Sequence, residues 1–149
     1  MRAFLLLICI LGGCATPQRP YQFTVPPTSE DPVELVSLAM SGNGFTPASV
    51  ERETGSVSTR WEDTGTSVDQ LKGVPATLVR RFTVVVLKGS AGLSVSLRAD
   101  AQRCQKGAFT IGRHDVEGTC EPVVGVVASL QEEVDRMGTS LQRAMTTMR

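Results

Sequence analysis

Aromatic side chains are scarce in this chain: one Trp, one Tyr and five Phe make up 5% of 149 residues. A core must therefore be built from Val, Leu and Met. A single histidine leaves few parts for a histidine-based active site. Neither charge prevails, with 15 basic and 15 acidic side chains. That balance argues against a generic nucleic-acid binder and against an acidic disordered tail. No apolar run reaches the roughly 20 residues of a spanning helix. The length fits one domain and leaves little room for two. The hydrophobic fraction, 41%, lies somewhat below the usual globular range.

What is present begins at the N-terminus. Arg2 supplies a positive start, Ala3 to Leu11 is a nearly unbroken apolar run, and Gly12 and Gly13 precede Cys14. This reads as a signal-peptide core followed by a small-residue cleavage site. Leu11-Gly12-Gly13-Cys14 resembles the lipobox of bacterial lipoproteins. The resemblance implies a diacylglyceryl group on the Cys14 sulfur, cleavage before Cys14 and acylation of the new N-terminus. The chemistry suits the residue, since a thiolate is a good nucleophile and the glycines let an enzyme approach the backbone. The competing reading is an ordinary secretory signal cut near Gly13 or Ala15. One acyl chain gives only marginal membrane binding, whereas two or three on one cysteine make release negligible. Residue 15 is Ala rather than Asp, which under enterobacterial-type sorting implies the outer membrane, on its periplasmic face.

Residues 1–13 are thus expected to be a lipoprotein signal peptide, 14–30 a lipidated cysteine with a Pro-rich tether, and 31–149 one domain. Removing Arg2 with the signal leaves 14 basic and 15 acidic side chains, a net charge of −1. Residues 15–30 contain four prolines and no helical period. As an extended tether they would reach about 50 Å. Tyr21, Phe23 and Val25 alternate, so part of this segment could instead pair as an edge strand.

Asp31 as N-cap, Pro32 at the first position and Glu34 three residues on predict a helix over 32–41. Ser41-Gly42-Asn43-Gly44 ends it. Strands are expected at 48–53 and 56–62 around a Thr54-Gly55 turn, then at 78–87 and 93–101, with 64–76 as a loop. Leu93, Val95, Leu97 and Ala99 alternate with Ser94, Ser96, Arg98 and Asp100, the pattern of an antiparallel sheet with one wet face. Val123, Val127, Leu130, Val134, Met137, Leu141, Met145 and Met148 form one helical seam, with Pro122 in its first turn and Gly125 and Gly138 as weak points. The expected fold is α+β: an antiparallel sheet of about four strands, with an N-terminal helix and a long C-terminal helix packed on one face.

Of four cysteines, Cys9 leaves with the signal and Cys14 is the lipidation site. Cys104 and Cys120 remain, and in an oxidising compartment a lone pair is most simply a disulfide. The rival is a metal site from Cys104, His114, Asp115 and Cys120, but the spacing matches no common zinc pattern. His114 reads as a solvated loop residue, and no nucleophile elbow supports a Ser–His–Asp triad. Gly42-Asn43-Gly44 follows a helix, the wrong context for a dinucleotide loop. Glu62-Asp63 and Glu132-Glu133 are neighbours whose side chains point apart. One of Arg80 and Arg81 must face the core or lie at a sheet edge; an edge role is preferred over an anionic-ligand contact. Trp61 and the Met-rich seam read as core, although Leu141, Met145 and Met148 could run past the domain and form a partner-binding end.

The layout of helix, antiparallel strands and long C-terminal helix is similar to the helix-grip domains of BamC-like lipoproteins in the barrel-assembly machine. Gly55-Ser56-Val57-Ser58-Thr59-Arg60-Trp61 and Arg80-Arg81-Phe82-Thr83-Val84 carry the likeness in strand texture. It transfers no functional residue. The expectation is a non-enzymatic, membrane-anchored envelope lipoprotein whose periplasmic domain serves protein interaction or envelope assembly. The alternative is a lipid or small-ligand carrier using the cleft between sheet and C-terminal helix. No catalytic residue, metal, cofactor or nucleic acid is expected. The expected partners are the membrane, through the lipid, and an envelope protein.

Overall fold

The computed structural model describes residues 18–106 and 119–147. In chain order the elements are β1 (Tyr21–Val25), α1 (Pro32–Gly42), β2 (Pro47–Glu51), β3 (Ser56–Thr59), β4 (Glu62–Leu71), β5 (Val74–Gly89), β6 (Gly92–Gln105), β7 (Cys120–Pro122) and α2 (Ala128–Thr147). The α+β class is as expected, but the sheet has seven strands rather than four.

The sheet is organised by one long hairpin. β5 and β6 pair antiparallel from Ala76↔Gln105 to Gly89↔Gly92. The β-branched run in β5 disfavours helix and suits the pleated ladder. Each strand of this hairpin offers a long flank that two shorter strands share. β1 pairs with Leu93–Leu97 of β6, and β7 pairs with Gln102–Cys104 further along the same strand. On the other flank, β3 pairs with Thr83–Val85 of β5, and β4 with Val74–Arg80. β2 closes the outer side of β3.

Three strands depart from the sequence reading. Tyr21–Val25 is not tether but strand, because its alternating apolar residues drop into register with Leu93–Leu97. Phe23 and Val25 are buried there. Residues 64–76 are not a loop. β4 and the start of β5 meet at Lys72-Gly73, both with positive φ, flanked by Leu71↔Val74. That is a two-residue turn whose twist matches the flanking strands. Pro122 belongs to β7 rather than to a helix. The seam beginning at Val123 starts its helix only at Ala128, since the Val123 N–H donates to Ala101 O and Gly125 takes φ +112°.

Both helices cover the same sheet face. Asp31 caps α1 by accepting from the Val33 N–H at 2.9 Å. The Arg52 guanidinium, hydrogen-bonded to Asp31 at 3.0 Å, and then the Val33 N–H hold that carboxyl below the usual aspartate range. Val36, Ala39 and Met40 of α1 and Val134, Met137, Leu141 and Met145 of α2 meet Phe82, Val84, Val95 and Leu97 of the central hairpin in one buried cluster. Gly138 lets α2 lie directly on Tyr21 of β1. A Cβ there would stand 2.2 Å from the tyrosine ring. Helix propensity marks this glycine as a weakness, but the close approach explains it.

Candidate functional site

Alternation along β5 and β6 sends successive side chains to opposite faces. Arg80 points to the helix side. Its Nε and Nη2 donate to the two carboxylate oxygens of Glu133 on α2, at 2.8 and 2.7 Å, and Nη1 reaches Glu62 at 2.8 Å. Its guanidinium also lies 4.8 Å from the Phe82 ring centre. Arg81 points the other way, over the Trp61 ring at 4.8 Å, and donates to Asp100 at 3.1 Å. The two arginines lie on a central strand, so the expected edge role is replaced by two separate pairings. Glu62 and Glu133 each serve Arg80, while their sequence neighbours Asp63 and Glu132 take no part in that pairing.

On the face away from the helices, an open groove of about 620 Å³ runs beside β6. Trp61, Arg81, Arg98, Asp100 and Gln102 line one side, and Gln18 with Pro122–Gly125 the other. The groove has a simple origin. β1 leaves β6 after Leu97 and β7 joins it at Gln102, so residues 98–101 have no paired strand on that side. Arg98 approaches Asp100 at 3.8 Å. Gln102 Oε1 is buried without a hydrogen-bond partner. Two arginines against one aspartate give this lining a surplus of one positive charge. Trp61, expected in the core, is a half-buried wall of the groove.

Cys104 and Cys120 lie directly opposite in the β6–β7 register and form a disulfide. The bond ties the short strand β7 to the sheet and so fixes the Pro122–Gly125 wall. The expected partner-binding end does not exist as an exposed surface over its described part. Leu141 and Met145 are fully buried under α2, because α1 and the sheet together cover the seam to its last turns. Met148 lies outside the described residues, as do Cys14, His114 and Asp115. The cleft between sheet and α2, which a carrier would use, is filled by Leu130, Val134, Met137 and Leu141. Sequence reasoning missed Arg98 and Gln102 as site residues. The only available signal was their place on the polar stripe of an otherwise clean alternation.

Among the described residues no group of three or more His, Cys, Asp or Glu side chains is placed to hold a metal ion. No helix among them is long and apolar enough to cross a membrane. No family model matches the chain, and no curated protein matches it.

Proposed function

We propose that the chain is a bacterial envelope lipoprotein, lipidated on Cys14 and held on the periplasmic face of the outer membrane. Its folded domain acts as a non-enzymatic module for protein interaction or envelope assembly. The observation that carries this reading is Leu11-Gly12-Gly13-Cys14 directly after a charged start and a short apolar run. The Cys104–Cys120 disulfide supports it, since such bonds persist in oxidising compartments. The surface for an envelope partner cannot be Leu141 and Met145, which are buried. Leu38 on α1 and Val50 on the outermost strand β2 are large apolar side chains left in water, and they are the better attachment points.

The test is metabolic labelling with an alkyne fatty acid in a bacterial host. The wild-type chain takes up label and sediments with membranes. Cys14→Ser takes up none and is released in soluble form. A Cys14→Ser protein that stays membrane-bound and labelled would sink the reading. For the interaction role, a photo-crosslinker at position 38 or 50 captures one defined envelope protein, whereas a crosslinker at the solvent-facing position 22 captures none.

A further inference from the structure

The leash between the lipidated cysteine and the folded domain is short. Gln18 Nε2 donates to Val127 O at 3.4 Å, the Arg19 N–H donates to Gln131 Oε1 at 2.9 Å, and Gln131 Nε2 donates back to Arg19 O at 3.1 Å. The chain is thus fixed to the domain from Gln18 onward. Four residue steps separate Gln18 from Cys14, which span at most about 14 Å. Gln18 is itself part of the groove lining. A domain with so short a leash must lie against the leaflet that holds the lipid, with its groove end toward it.

That end has a surface suited to the task. Val124 and Val126 are exposed at 79% and 47%, on a loop where a branched aliphatic gains nothing from water. Across the groove from Val124 stand Arg98, with a 59% exposed side chain, and Arg81 stacked on Trp61. Apolar tips flanked by guanidinium groups and an indole are the composition of a surface that sits at lipid headgroups. We propose that this end of the domain docks on the anchoring leaflet, with Val124 and Val126 entering the headgroup layer and Arg98 meeting lipid phosphate. The proposal rests on lipidation at Cys14. It fixes the domain's orientation: the β5–β6 turn at Ser90, twelve residue steps from Gln102, projects about 40 Å away from that residue.

The full chain, matured in a bacterial host and reconstituted in vesicles of phosphatidylethanolamine and phosphatidylglycerol, provides the test. An environment-sensitive fluorophore is attached after Val126→Cys or, separately, after Ser90→Cys, and headgroup-labelled quencher lipid is added. Emission at position 126 falls at least about threefold, while emission at position 90 is unchanged. Adding Arg98→Glu and Val124→Asp, both on exposed side chains, to the protein labelled at 126 restores its emission to the level at 90. Quenching that survives these two changes, or that is equal at 126 and 90, overturns the docking surface. If mass spectrometry finds Cys14 acylated in that sample, the lipoprotein reading stands without it. An unmodified Cys14 removes the anchor and the docking together.

Discussion

Arg80 and Arg81 are adjacent in sequence but occupy opposite faces of the central hairpin. Arg80 lies under α2, mostly buried, and grips both oxygens of Glu133. Arg81 lies on the open face and reaches a single oxygen of a half-exposed Asp100. The first pairing has the fork geometry that makes a guanidinium–carboxylate contact strong, and its desolvation leaves each charge dependent on the other. The second is screened by water and salt. The Arg80 pairing therefore carries stability, whereas Arg81, Asp100 and Arg98 keep their water and are free to carry a surface role.

The largest effect should come from the closed face. Phe82 is fully buried, packs edge-on against Phe45 at 5.4 Å, and sits beneath Arg80. Phe82→Ala should cost about 3–5 kcal/mol in equilibrium urea unfolding. A loss under about 1 kcal/mol would mean that the closed face is not the core. Next comes the disulfide, whose Cys104 is fully buried. Replacing Cys104 and Cys120 together by Ser frees a 16-residue separation and should cost about 3 kcal/mol. The same loss should follow when the wild-type protein is unfolded with reductant present. Glu133→Ala strands Arg80 with only the more exposed Glu62, and should cost about 2 kcal/mol.

Gly138→Ala tests how tightly the closed face is sealed. Alanine is the better helix former by about 1 kcal/mol, so a loose contact predicts stabilisation. The Tyr21 ring beneath Gly138 predicts instead a loss of about 1–3 kcal/mol. Combining it with Tyr21→Ala should recover much of that loss, a coupling readable in a double-mutant cycle.

These contrasts also mark what the sequence disclosed. Elements with strong local patterns were legible: the cap at Asp31, the β-branched run of β5, the alternation of β6 and the seam of α2. The disulfide followed from counting thiols. Elements that exist only because a neighbour offers a flank were not. β1 was an ambiguous alternation among prolines, and β4 reads as a loop until β5 lies beside it. Gly73 suits the positive φ of the turn, but positive φ at Lys72 is not something residue type announces. The groove was the least legible feature. It is set by where β1 stops and β7 begins along β6, a matter of register rather than of any motif. The fate of Leu141 and Met145 was likewise decided by the packing of α2 on α1 and the sheet, which no single helix encodes.

The smallest expected effect is the most diagnostic of the open face. Asp100→Asn removes the partner of Arg81 and the neighbour of Arg98 while keeping size and shape. Because all three side chains retain water, stability should change by less than about 1 kcal/mol. What changes is the field: the groove lining goes from one surplus positive charge to two. Binding of the matured protein's groove end to anionic vesicles should then strengthen at low salt. The gain should vanish at about 1 M salt, where the screening length falls to about 3 Å. Glu133→Ala, which alters charge by the same amount on the closed face, should leave vesicle binding as it was. If both variants shift binding equally, net charge alone is responsible and the faces are not distinct. If Asp100→Asn instead destabilises as much as Glu133→Ala, the groove is a buried polar core rather than a surface.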